Sequence, residues 1–408
     1  MGLDYSEIDK EIDRDLGIVP PRDYASLKKI WGRVKWVLKP FWWLAVLSYK
    51  VLSFPVVPVL SIANYRLPEA GTGIVRVPLY RRVIEGMVTR LLLTPFILAA
   101  FLIFLVWYTT HPMPVVAIQT PNGLGLFYRP VTLESSDGHI LNAWYIPGMT
   151  MEEVVRNGDE ALLERRPAAI LVHGLGYGQD QYLTLASRLH ETGFAVLMVS
   201  LRGQGNSSGG AAGNGGITFG LRERLDVLAA VSYLRELPQV DGNRIAVVGY
   251  GMGASAALQA AVLDHAIAAV VIENPWPSFA AWSQHNFDRP WVPAGALTTL
   301  YQTAFELWYR ERVSQLDMAA SLRHLHQAHV FLIAHNRPGE APVADLLAAV
   351  QKMPGPHSEL VLDENDERGT PAQLAATITG DLAEALKWTP AQRRLSENLK
   401  RLIGARVK

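Results

Sequence analysis

Short apolar runs alternate with longer amphipathic segments over residues 130–388. The runs at 130–134, 140–147, 168–173, 195–200, 244–248, 268–273, 330–334 and 359–362 are rich in β-branched residues and read as strands. Segments 180–192, 219–236, 253–263, 342–352 and 371–387 read as helices, with a helical insertion at 151–166. Ser136-Asp137-Gly138 supplies the turn of a hairpin between the first two strands. Strands that are apolar along their whole length, each followed by a helix, predict an α/β domain. Its sheet is mostly parallel and covered on both faces.

The residues before 130 follow a different pattern. A polar tail at 1–25 opens with Asp4, Glu7, Asp9, Glu11, Asp13 and Asp15, unlike the basic start of a cleavable signal peptide. Residues 26–110 read as a membrane-associated region. In 26–64, Lys28, Lys29, Arg33, Lys35 and Lys39 interleave with Trp31, Val34, Trp36 and Val37, and an apolar stretch broken by Lys50, Pro55 and Pro58 follows. That is an amphipathic, re-entrant segment or a first span. Residues 91–110 carry no charge, match the thickness of a bilayer core and end in Trp107 and Tyr108, so they predict a transmembrane helix. Arg81, Arg82 and Arg90 precede it, and the next basic residue is Arg129. The positive-inside rule then places the main domain outside the cytoplasm, periplasmic or extracellular; a cytoplasmic domain is the alternative. Residues 111–129 read as linker.

The chemistry centres on residues 245–258. An apolar strand runs into Gly249-Tyr250-Gly251-Met252-Gly253, and an alanine-rich helix follows. This is the layout of a strand–turn–helix elbow of pattern G-x-S-x-G, with Gly251 where the serine nucleophile belongs. A dinucleotide-binding turn needs a different glycine spacing and an acid about twenty residues on, where an apolar run lies instead.

With its flanks, the chain resembles the α/β-hydrolase superfamily, closest to bacterial esterase and serine-aminopeptidase-like members, over about residues 130–388. Beside the elbow, the resemblance rests on Ser136-Asp137-Gly138, on His173-Gly174-Leu175 as the oxyanion loop, and on Arg202-Gly203-Gln204-Gly205-Asn206-Ser207, where Gln204 replaces a histidine. It implies an α/β-hydrolase fold with a helical cap, here 274–328. It also implies a serine, an acid and a histidine in that order. The three positions hold Gly251, Gly339 (with Glu340 adjacent) and the loop around Glu367, which lacks a histidine. The catalytic triad is therefore expected to be lost. His173, Gly174, Leu175, Gly249, Tyr250, Met252 and Gly253 remain as relic oxyanion loop and elbow. Ser255, one turn further, is expected to face the helix packing.

Glu273, at the carboxyl end of a strand, and the aromatics Trp276, Trp282, Trp291 and Trp308 are candidate ligand or partner contacts. His324, His326 and His329 are closely spaced but lack a carboxylate framework, so no metal is expected. Lysine plus arginine equals aspartate plus glutamate at 38 each, which gives no reason to expect a nucleic-acid partner. There is no cysteine, which excludes disulfides and thiolate chemistry. No cofactor motif appears. Residues 389–408 predict a basic amphipathic helix.

The sequence therefore reads as a membrane-anchored pseudoenzyme of hydrolase fold that acts as scaffold or accessory subunit of a membrane protein complex. Two alternatives stay open: a hydrolase with a displaced nucleophile, and a binding module for an acyl or lipid-like ligand.

Overall fold

The computed structural model describes residues 67–69, 73–75, 79–150, 153–155, 158, 164–205, 207, 216–287 and 294–389. The tail 1–25, the segment 26–64, Trp291, most of the 151–166 insertion and the C-terminal helix beyond Thr389 lie outside the described residues. The chain forms two compact units, Met1–Phe101 and Leu102–Lys408.

In the first unit, strands β1 (Leu67–Glu69) and β2 (Gly73–Val75) pair antiparallel. Helix α1 (Leu79–Thr110) begins here, well before the uncharged run. Arg81, Arg82, Glu85 and Arg90 hid its first turns from the apolar pattern, although arginine and glutamate are good helix formers. Leu91–Thr110 is, among the described residues, the one stretch long and apolar enough to cross a bilayer, and Leu91, Leu92 and Phe96 are exposed.

The second unit contains the last turns of α1. Leu102, Val106 and Thr110 recur at i, i+4 and i+8 and are buried on one face, while Trp107 and Tyr108 stay exposed. Residues 111–129, expected as linker, are tied down: the N–H groups of Ile118 and Gln119 donate to the Asp180 carboxylate at 2.8 and 3.1 Å.

The sheet strands are β3 (Arg129–Glu134), β4 (Ile140–Ile146), β5 (Arg166–Val172), β6 (Ala195–Val199), β7 (Val240–Tyr250), β8 (Ile267–Glu273), β9 (His329–Asn336) and β10 (His357–Asp363). They form one eight-stranded sheet in the order β10-β9-β8-β7-β5-β6-β4-β3. The pairs β3–β4 and β4–β6 are antiparallel and the other five are parallel. Every residue of β5 is buried, as a strand covered on both faces requires. Its period of two divides the core. Ala168, Ile170 and Val172 join one cluster with α3 (Glu223–Glu236) and α4 (Met252–Leu263). Ala169 and Leu171 join the other with α2 (Leu183–Glu191) and α9 (Pro371–Ala385).

Strand order reverses between β5 and β7, so their carboxyl ends frame the crevice where open α/β sheets bind ligands. Helix α5 (Phe279–Phe287) lines it through Phe279 and Trp282, α6 (Ala294–Tyr309) packs on α5, and α7 (Met318–Leu322) packs on α4. Helix α8 (Val343–Val350) connects β9 to β10.

Candidate functional site

The elbow is built by backbone contacts that only glycine permits. A Cβ on Gly249 would stand 2.3 Å from the Gly253 carbonyl oxygen, and one on Gly253 would stand 2.5 Å from that of His173. These two glycines let α4 rise directly against β7 and β5. Gly251, between them, has φ 52° and ψ −109°, a conformation that strains any residue with a side chain. Its N–H donates to the Glu273 carbonyl at 2.8 Å. A Cβ there would meet nothing within 4 Å. The turn thus keeps the shape that presents a side chain to open space, and the side chain is absent.

That space is a cavity of about 220 Å³ bordered by Gly251, Met252 and Leu175 at the elbow and oxyanion loop. Its wall is aromatic: the ring centroid of Trp282 lies 4.3 Å from that of Phe219 and 5.4 Å from that of Phe279. Trp276, Tyr250, Asn274 and Glu340 complete much of the lining. Among the described residues, no histidine, lysine or arginine lines it.

The oxyanion loop is held by His173. This buried imidazole accepts the Leu201 N–H at Nε2 (3.1 Å), so its Nδ1–H donates to the Gly174 carbonyl at 2.9 Å. Burial holds it neutral by pushing its pKa down. Its two bonds fix the loop to the turn after β6 and leave no ring nitrogen for catalysis. Gln181 accepts the Gly174 N–H at 2.8 Å, and the Tyr250 ring packs edge-on against Tyr177. Burial, with Glu340 nearby, raises the Tyr250 hydroxyl above its ordinary pKa, so it stays protonated at neutral pH.

The other sequence candidates separate. Glu273 does not reach the cavity as a ligand contact. It is buried, accepting from the Tyr182 hydroxyl at 2.7 Å with His335 Nε2 at 3.1 Å on its other oxygen. Burial and then the Glu273 charge push the Tyr182 hydroxyl far up. The strand end aims this carboxylate beneath the elbow, toward α2 and β9, which strand position alone did not reveal. Trp276 and Trp282 line the cavity; Trp308 is 44% exposed and does not. Gly339 sits at φ 87° in a turn, and its neighbour Glu340 is the acid that arrives at the cavity. Glu367 is exposed in a single helical turn. Ser255 is placed differently from the expectation. It is half-buried and lines the cavity, because α4 leaves Gly251 at an angle that turns its first exposed face toward the crevice. Its hydroxyl bonds back to the Gly251 carbonyl at 3.4 Å.

Asn274 and Phe219 were missed. Asn274 holds φ 48°, a left-handed conformation that asparagine tolerates better than most residues, and Phe219 holds φ 57°. Neither stands in a motif, and only an asparagine directly after a strand end hinted at the first.

The motif around Arg202 has a structural explanation. Its buried guanidinium donates to Asp226 on α3 and to Asp137 in the β3–β4 turn, with Ser135 Oγ also in reach at 3.2 Å. These carboxylates hold Arg202 charged, well above its ordinary range, against the burial that opposes it. Two acids share one cation in unequal surroundings. Burial lifts the enclosed Asp226 to about 6 although Arg202 pulls it down. For Asp137 burial also pushes up, but the hydrogen bonds from Arg202 and Ser135 outweigh it and hold the carboxyl at about 2.

A model of the alpha/beta hydrolase family matches residues 169–400. The chain belongs to the alpha/beta hydrolase family. Over 182 residues it is 29% identical to an uncharacterized protein of Mycobacterium tuberculosis, covering 45% of this chain and 55% of that one. Over 118 residues it is 32% identical to the quorum-quenching protein AidA of Acinetobacter baumannii, covering 27% and 36%. The match thus spans about half or less of these curated relatives' length. Among solved structures, this hydrolase-family chain is similar to the Pyrococcus furiosus esterase Pf2001, with TM-score 0.50 and 20% identity over 69% of this chain and 98% of that one. It is also similar to a puromycin hydrolase, with TM-score 0.51 and 17% identity over 65% and 40%. At such identity the likeness concerns the fold.

Proposed function

We propose that this hydrolase-family protein is catalytically silent and serves as a membrane-anchored scaffold or accessory subunit of a membrane protein complex. The observation that carries the reading is the vacant elbow: Gly251 faces an open cavity whose lining, among the described residues, holds no histidine. A fold that keeps the turn but lacks nucleophile and base retains shape without the proton relay that ester or amide cleavage needs. Anchoring is supported by the apolar, exposed Leu91–Thr110 segment. The basic residues before it favour a domain outside the cytoplasm. Residues 26–110 supply the main contact to the complex, and the aromatic region 276–309, with Leu307 and Trp308 exposed, a second one.

Affinity purification from native membranes tests this. A defined set of membrane proteins should co-purify at constant ratio, and a chain that elutes alone from mild detergent would refute the scaffold role.

A second reading, that the cavity holds a ligand, is favoured by its persistence: among the described residues no side chain fills the space over Gly251.

A further inference from the structure

We propose that the cavity over Gly251 binds a small organic cation, an alkylammonium or quaternary ammonium compound. The inference rests on the ligand-binding reading above and names the class of ligand.

Among the described residues, the cavity lining carries one carboxylate and no lysine or arginine. Glu340 enters it from the turn after β9, and its hydrogen-bond partner there is the neutral Asn274 amide nitrogen. An amide steadies a carboxylate without cancelling its charge. Glu340 is half-buried and no cation among the described residues pairs with it, so a bound cation would be its counter-ion. Asn274, 4% exposed, fixes the Glu340 carboxylate at the cavity wall. The rest of the wall suits the same ligand. Trp276, Trp282, Phe219 and Tyr250 bring aromatic rings to the wall, with Phe279 stacked behind Trp282 and His285 against Trp276. The π faces of such rings attract a cation, tryptophan most strongly, and the attraction grows where water is excluded. None of these rings is already covered by an arginine: the guanidinium–ring contacts among the described residues lie at Tyr145 and Tyr309. At about 220 Å³ the cavity has room for a compact head group.

Choline and its uncharged isostere 3,3-dimethylbutan-1-ol test the assignment, because they share shape and differ in charge. Each is titrated into the full-length protein in detergent, reading the intrinsic fluorescence to which Trp276 and Trp282 contribute. Choline should bind saturably with a Kd on the order of 1 mM and at least about tenfold more tightly than the alcohol. Glu340→Gln, which keeps the hydrogen bond to Asn274 and removes the charge, should abolish that preference, and Trp276→Leu should weaken choline binding. Equal binding of the two compounds by the unaltered protein, absence of saturation by choline, or a preference that survives Glu340→Gln would overturn the proposal. Ester hydrolysis is assayed on the same preparations. Choline has no ester bond, so turnover would refute catalytic silence alone, whereas failure to bind choline would refute the cation site alone.

Discussion

Gly251 donates its N–H to the carbonyl oxygen of Glu273 at 2.8 Å, joining the end of β7 to the end of β8. The contact is made by backbone, so the elbow keeps its form whatever side chain the position carries. Gly251→Ser should therefore fold. Its hydroxyl would enter open space, and the left-handed backbone would cost about 1–3 kcal/mol. It should give no turnover of short-chain p-nitrophenyl esters and no labelling by a fluorophosphonate, because no histidine among the described residues lines the cavity. Robust esterase activity in that variant would reveal a base elsewhere.

The unaltered protein should likewise escape fluorophosphonate labelling. Ser255 is the one cavity serine on α4, and its hydroxyl bonds to the Gly251 carbonyl rather than to a base. Labelling of native protein that Ser255→Ala removes would show that Ser255 is activated; labelling that survives would show another nucleophile.

The flanking glycines should behave in the opposite way to Gly251. A methyl group on Gly249 or Gly253 collides with backbone, which cannot swing aside as a flexible side chain can. Gly249→Ala and Gly253→Ala should each cost at least about 3 kcal/mol or prevent folding. Chemical denaturation ranks the three variants, and a Gly253→Ala protein as stable as Gly251→Ser would contradict this packing.

Much of this was legible from residues. The continuous apolar run 168–172 could only be a strand covered on both faces, and the spacing of Gly249 and Gly253 fixed the elbow between strand and helix. Side-chain direction was not legible. Glu273 and Ser255 sit at the edge of the crevice in sequence, yet the first turns inward to Tyr182 and His335 while the second turns out into the cavity. Such choices depend on the angle between elements that meet only in three dimensions. The start of α1 was missed because charged residues mask helical periodicity that ends in an apolar run.

The Arg202 cluster predicts a defined response to acid. The folded-state pKa of Asp137, about 2, lies below its ordinary value, so its contribution is present above pH ~4 and lost as pH falls through ~2. Asp226 works in the opposite sense: its raised value, about 6, means its contribution is full below pH ~4 and lost as pH rises through ~6. Asp137→Asn should remove the acid-side loss between pH 4 and 2, at a neutral-pH cost of about 1 kcal/mol because Asp137 is partly exposed. Arg202→Ala leaves Asp226 buried and unpaired and should cost about 3–5 kcal/mol. Stability curves from pH 2 to 8 separate the two; an Asp137→Asn profile parallel to that of the unaltered protein would show that the pair carries no such linkage.

Topology supplies the last prediction. Arg81, Arg82 and Arg90 precede the uncharged run, and no basic residue follows it until Arg129. If basic flanks stay in the cytoplasm, Ser136 is expected on the far side of the membrane. The chain has no cysteine, so a single Ser136→Cys substitution gives an unambiguous reporter, and Ser136 is exposed in its turn. An impermeant maleimide should label it in intact cells or spheroplasts. Protection until the membrane is permeabilised would reverse the orientation. A simple anchor needs only the Leu91–Thr110 segment. The second apolar region, broken by Lys50, Pro55 and Pro58, suits docking against neighbouring membrane helices, which can satisfy a buried lysine and a proline-broken backbone. Deleting residues 1–80 should therefore release the protein from its complex while the hydrolase-fold unit stays folded and membrane-bound. Unchanged co-purification of the shortened chain would overturn the docking role of residues 26–80.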